Sequence, residues 1–231
     1  MNKTILITGA ARRIGRAMAL HYAAKGWHIA AHYSDAATDA EHLRDDINAK
    51  GGKITLFQAD FTKSDAAQEL FSDVVKICGT PHVLINNAAR FERDDGGITQ
   101  KSLQAHMAVN AATPIALAQL MRTGEATENS GPRFVFNILD RSLDWSWPLL
   151  PAYVLSKLAL EEWTKKNAAA YQPDLYLFGL RLGPTLRNPR ESKTHFEKAS
   201  AALTVTKIED ILSVMDASME SPATQPCFVN V

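Results

Sequence analysis

Tyr153 and Lys157 stand four residues apart in 152–163, a run of good helix formers that also holds Val154, Leu155, Leu158, Leu160 and Trp163. At that spacing both side chains leave one face of a helix. The pairing has a chemical use. A phenol titrates at about 10 when unperturbed, and a neighbouring ammonium favours its ionised form, moving it toward a pH where it gives and takes protons. Asp140 lies thirteen residues before the tyrosine, near the end of an apolar run. Its carboxyl is a further group able to accept hydrogen bonds and exchange a proton. The plain alternative is an exposed helix that happens to carry a tyrosine and a lysine, and what decides between the two lies upstream.

These groups have to be positioned by an alternation of short apolar runs with amphipathic segments. Strands are predicted at 4–8, 27–33, 54–58, 82–86, 133–138, 175–181 and 227–231, and helices at 14–25, 38–50, 63–78, 99–122, 152–171 and 207–219. Such alternation requires right-handed crossovers and a parallel sheet covered on both faces. The expectation is one α/β domain over 1–231, a doubly wound Rossmann fold with seven strands, whose ligands sit at the strands' carboxyl ends. Residues 124–132 read as a surface loop, and 185–202, with Pro189 and weak periodicity, as a substrate loop.

Composition excludes several classes. Formal net charge is zero with a pI near 7.1, so no basic field draws nucleic acid or an anionic membrane. The two cysteines, Cys78 and Cys227, form neither a disulfide framework nor a metal-ligand spacing. No stretch approaches the roughly 20 apolar residues of a membrane span, and Met1-Asn2-Lys3-Thr4 runs straight into a strand rather than a leader. A cytoplasmic protein without metal is expected.

The first strand ends in Thr8-Gly9-Ala10-Ala11-Arg12-Arg13-Ile14-Gly15, just before a helix. Small residues there let backbone N–H groups at a helix N-terminus approach a phosphate, although glycines in a tight turn would read alike. The second strand ends in Tyr33-Ser34, with no acid at the ribose contact, while Arg12 and Arg13 are able to take a 2′-phosphate, so NADP is favoured over NAD. Asp35 reverses that preference if the strand runs further. Asp60, followed by Phe61, is placed either to accept from an adenine amino group or to cap a turn. Asn86-Asn87-Ala88-Ala89 allows a sharp turn beneath a flat ligand, Phe91 is either core or a stacking ring, and Asn110 falls inside the long helix of 99–122.

Taken together, the Thr8-Gly9 loop, Asp60, Asn86-Asn87-Ala88, Asn110, Tyr153-x-x-x-Lys157 and Gly183-Pro184 resemble the classical short-chain dehydrogenase/reductase family along nearly the whole chain. The resemblance implies that Tyr153 is the catalytic acid, that Lys157 lowers its pKa and holds the nicotinamide ribose, and that Asn110 supports a water-linked proton relay. It also implies cofactor contacts at Gly9, Arg12, Arg13, Ile14, Gly15, Tyr33, Ser34, Asp60, Phe61, Asn87, Ala88, Lys157, Gly183 and Pro184. A homodimer or homotetramer paired through the helices of 99–122 and 152–171 is implied as well.

Departures from the family pattern narrow the reading. Asp140 replaces the usual serine, with Ser142 two residues out of register, and Arg13 replaces the middle glycine of the first loop. With Phe91, these look like the pteridine reductase branch. There the resemblance implies that the arginine contacts pterin and cofactor phosphate, the phenylalanine sandwiches the pterin against nicotinamide, and the aspartate joins the tyrosine in protonation. Substrate contacts then fall on Arg13, Phe91, Asp140 and Tyr153, and the expected activity is NADPH-dependent hydride transfer to a pterin C=N bond. Ala89 stands where that branch often has a serine, Asp35 where it often has an arginine, and residues 225–231 lack the usual glycine-rich ending. Trp145, Trp147, Leu149 and Leu150 either wall the pocket or serve as core or subunit contact. Two other functions stay open: a carbonyl or 3-oxoacyl reductase of the same family, and a non-catalytic NADP-binding regulator.

Overall fold

The apolar runs become one parallel sheet in the computed structural model, which describes residues 3–124, 131–144, 150–186, 197 and 205–231. Its strands are β1 (Thr4–Ile7), β2 (His28–Tyr33), β3 (Lys53–Gln58), β4 (Val83–Asn86), β5 (Arg133–Asp140), β6 (Leu175–Leu182) and β7 (Phe228–Asn230). They lie in the order β3-β2-β1-β4-β5-β6-β7. The winding reverses between β1 and β4, which opens a crevice at the carboxyl edge of the sheet.

Helices cover both faces: α1 (Arg13–Ala24), α2 (Ala37–Ala49), α3 (Ala66–Cys78), α4 (Gln100–Met107), α5 (Thr113–Thr123), α6 (Pro151–Tyr171) and α7 (Ile208–Glu220). Side-chain alternation along β1 divides the core in two. Ile5 and Ile7 pack with Met18, Tyr22, Leu43 and Ile211 of α1, α2 and α7, whereas Leu6 packs with Leu70, Val74, Leu117 and Ala168 of α3, α5 and α6. A strand buried on both faces needs apolar residues at every position, which is why these strands read as continuous runs.

Four features differ from the pattern read in the sequence. β5 continues two residues past 138, pairing Leu139 with Arg181 and Asp140 with Leu182, so the carboxylate ends the strand. The helix expected over 99–122 is broken into α4 and α5 by a π turn at Ala108–Ala112, closed by a Thr113 N–H to Ala108 O bond. Pro114 explains the break, because it has no N–H to give the carbonyl of Asn110 and its ring crowds that carbonyl. α3 starts at Ala66 rather than 63, and β7 is only three residues long. Residues 125–130 of the expected surface loop, most of 185–202, and Trp145, Trp147 and Leu149 lie outside the described residues. No helix among the described residues is long and apolar enough to cross a membrane.

Candidate active site

β5 delivers Asp140 to the carboxyl edge of the sheet, and the first turns of α6 bring Tyr153 and Lys157 to meet it. Pro151 at the start of α6 suits that end, since its missing N–H would have no helical partner. The Tyr153 hydroxyl donates to Asp140 Oδ2 over 3.0 Å. Below them, Lys157 Nζ donates to Ile138 O at 2.8 Å. Burial pushes the ammonium down to about 8, against the opposing pull of the Asp140 charge. The Phe91 and Tyr153 rings meet in a T-shaped contact, with centroids 4.8 Å apart at 79°.

The helix that carries this pair is fixed by buried amides. Asn86 Nδ2 donates to Asn137 Oδ1 at 2.8 Å and to Pro114 O at 3.2 Å, and Asn137 Nδ2 reaches Thr164 Oγ1 at 2.9 Å. Asn110, fully buried in the π turn, accepts from Arg90 N–H at 2.7 Å and donates to Arg90 O and Ser156 Oγ, both at 2.9 Å. Its amide therefore joins the turn after β4 to α6. The side-chain amide is thus taken up by Arg90 and Ser156, whereas the Asn110 carbonyl is the one that Pro114, lacking an N–H, cannot bond.

A second region of the crevice is made mostly of backbone. Gly9 has φ 65°, and a Cβ there would lie 3.0 Å from Ala88 Cα; one on Gly15 would lie 2.1 Å from Gly9 O. Only glycine permits such packing. Asn87 Nδ2 donates to Thr8 O and Gly9 O, while Asn87 N–H and Ala88 N–H both reach Thr8 Oγ1 at 3.0 Å. α1 has no side-chain cap and no acid in its first turn, so its leading N–H groups remain available to an anion. Arg13, in place of a family glycine, adopts φ 53°, a left-handed conformation that costs an L-residue about 1 kcal/mol. Its guanidinium donates to Leu186 O, spanning from the first loop to the segment after β6. Arg12 pairs with Asp39 at 2.5 Å on the surface.

These groups line a cavity of about 520 Å³. Its walls include Gly9, Arg12, Arg13, Ile14, Gly15, Tyr33, Ser34, Asp35, Asp60, Phe61, Asn87, Ala88 and Phe91, which brings together most of the cofactor residues expected from sequence. Asp140, Tyr153, Lys157, Asn110, Gly183 and Pro184 are not in that lining. Thr206 holds the last two, accepting from Gly183 N–H at 2.8 Å and donating its own N–H to Pro184 O at 3.0 Å. β2 ends at Tyr33 as expected, with Asp35 beyond it. Asp60 closes a turn beside the cavity. Its Oδ1 accepts from the N–H and hydroxyl of Thr62, the former holding its carboxyl below the usual range, and it also faces the cavity.

One residue escaped the sequence reading. His32 is buried near the end of β2, accepts the Gly9 N–H on Nδ1 at 3.2 Å, and therefore carries its proton on Nε2, which donates to Ala59 O at 3.1 Å. Burial holds it down to about 4, so it is neutral. It stacks on Phe61 with centroids 4.1 Å apart. The available signal was a polar ring inside an otherwise apolar strand. Among the described residues, no three His, Cys, Asp or Glu side chains are placed to hold a metal ion.

Comparison with known proteins adds to this geometry. A model of the short chain dehydrogenase family matches residues 3–186. A 3-oxoacyl-[acyl-carrier-protein] reductase, FabG, of Staphylococcus epidermidis is 38% identical over 107 residues, 46% of this chain and 41% of the relative. The short chain dehydrogenase/reductase dpchG of Colletotrichum higginsianum is 30% identical over 173 residues, 74% of this chain and 64% of the relative. The chain thus spans less than two thirds of either relative's length. Among solved structures, FolM alternative dihydrofolate reductase 1 from Brucella canis, complexed with NADP, superposes with a TM-score of 0.88 at 28% identity, covering 99% of this chain and 92% of the other. The angucycline C-6 ketoreductase LanV with bound NADP gives 0.83 at 22% identity, covering 99% and 93%, a likeness of fold alone.

Proposed function

The chain belongs to the short-chain dehydrogenase/reductase family, and from that premise we propose that it is an NADPH-dependent reductase of a pterin C=N bond. The observation that carries this reading is the Tyr153 hydroxyl on Asp140, 3.0 Å apart, above a buried Lys157. A ketone needs one proton donor at oxygen; a pterin ring offers nitrogens that a phenol and a carboxyl engage together. Phe91 beside Tyr153 supplies a face for a flat ring. The NADP-bound Brucella reductase of similar fold adds support.

A dinucleotide fits the residues present. The uncapped first turn of α1 is suited to its pyrophosphate, Arg12, in the cavity wall and exchanging its Asp39 partner, to a 2′-phosphate, and Lys157 to the nicotinamide ribose. When bound, the cofactor supplies the hydride. The chain supplies the proton that completes the two-electron reduction: Tyr153 gives it to the ring nitrogen, Asp140 assists through its hydrogen bond to the phenol, the Lys157 ammonium stabilises the phenolate left behind, and a proton from solvent restores the phenol after the product leaves. Asn110, by holding Arg90 and Ser156, keeps the Phe91 turn and the tyrosine in register.

A carbonyl reductase is the second reading, favoured by the FabG relative; in it Asp140 has no task. Exposed Leu155 and Leu158 on α6, at 49% and 41%, support a homodimer or homotetramer, and two unpaired cysteines support a reducing, cytoplasmic setting. The test is oxidation of NADPH and of NADH over a panel of dihydropterins. Faster turnover with NADPH and a dihydropterin is expected. Turnover of an acetoacetyl thioester or quinone alone would move the protein to the second reading, and cofactor binding without turnover would make it a regulator.

A further inference from the structure

Asp94 is a carboxylate left at 6% exposure in the loop after β4, three residues beyond Phe91, with no part in the chemistry above. Both its oxygens are used. Oδ2 accepts the N–H of Ala152 at 2.9 Å, and Oδ1 accepts the hydroxyl of Ser102. Ala152 is the second residue of α6, and Leu150 before it offers no side-chain cap. Because Pro151 has no N–H, the group Asp94 satisfies is the first donor of the helix that carries Tyr153, one residue on.

Ser102 lies in the first turn of α4, its own N–H capped by Thr99 Oγ1 at 3.1 Å. Asp94 therefore sits at the leading ends of two helices at once, where the helix dipoles favour a negative charge. One turn along α4, His106 Nδ1–H donates to Ser102 O at 2.9 Å, packing the buried imidazole behind the serine.

We propose that Asp94 is a positioning residue that clamps the Phe91 loop to the first turn of α6. It thereby sets the separation between the ring that covers the substrate and the phenol that protonates it. The consequence for catalysis rests on the pterin reading; the clamp itself does not. A carboxamide preserves this geometry, with Oδ1 on Ala152 N–H and Nδ2 donating to Ser102 Oγ, whereas a methyl abolishes it.

The test compares Asp94→Ala, Asp94→Asn and Phe91→Ala, alone and combined. Asp94→Ala should raise the KM for a dihydropterin and lower kcat by about tenfold each, as expected for misplaced reacting groups, with NADPH affinity unchanged. Asp94→Asn should restore both. In a Phe91→Ala background Asp94→Ala should cost little more, because the loop no longer carries its ring. Amide exchange should quicken at 152–153 and 91–99 in Asp94→Ala and stay unchanged in α1. Additive effects of the two alanine changes, or unchanged exchange at 152–153, would overturn the proposal. If Asp94→Ala does not fold, Ser102→Ala, which removes the carboxylate's other anchor and so loosens its hold on Ala152, is read by the same exchange criterion. A wild-type chain that turns over no dihydropterin defeats the functional reading alone, and the exchange result still decides the clamp.

Discussion

At the carboxyl edge of β1 and β2 the crevice is shaped by side chains that are missing, whereas at the edge of β4 and β5 it is shaped by polar side chains sunk into the core. The first region offers glycines packed against backbone at Gly9 and Gly15 and an uncapped helix start. The second holds Asn86, Asn110, Asn137, Ser156, Lys157 and Thr164, none more than 4% exposed. The difference follows from the tasks proposed for them. An anion is held by N–H groups that every residue but proline owns, so binding requires only that nothing obstruct them. Proton transfer needs particular side chains at fixed places, and each one buried must be satisfied by another.

Changes in the second region should therefore strike turnover and spare binding. Tyr153→Phe should lower kcat by about 10³-fold while NADPH affinity, followed by fluorescence titration, stays within about twofold. Lost affinity instead would make the phenol part of the binding region. Next in size is a pH effect. With Lys157 held at about 8, its ammonium is present below that pH and lost above it, so kcat/KM should fall roughly tenfold per unit as pH rises through that value. Lys157→Met should be slow at every pH and lack that limb; a limb that persists belongs to another group. Smallest is His32→Ala, which removes the acceptor of the Gly9 N–H and the donor to Ala59 O. It should weaken NADPH binding about tenfold and leave kcat near wild type. A fall in kcat at unchanged affinity would erase the distinction between the two regions.

The same distinction governs what the sequence made readable. Strand positions were legible to within one or two residues because both faces of the sheet are buried, which leaves unbroken apolar runs such as Ile5-Leu6-Ile7. Glycine spacing and the four-residue step from Tyr153 to Lys157 were legible as local patterns. The extension of β5 to Asp140 was not, since the pairing of Asp140 with Leu182 is set by the neighbouring strand. The π turn was written in Pro114, whose effect falls four residues upstream on Asn110 and passes unnoticed when only hydrophobic period is followed. His32 and the chain from Asn86 through Asn137 to Thr164 join residues far apart in sequence, so no local spacing announces them. Arg13 was visible as a departure from glycine, but its left-handed backbone and its reach to Leu186 required coordinates.

The central claim is that Asp140 fits the Tyr153–Lys157 pair to a ring C=N bond. Steady-state rates of the wild type and Asp140→Ser, each with a dihydropterin and with an acetoacetyl thioester, test it most directly. The account predicts that the serine variant loses about 10²-fold in dihydropterin turnover while thioester turnover holds or rises. Dihydropterin reduction at the wild-type rate by Asp140→Ser would contradict it.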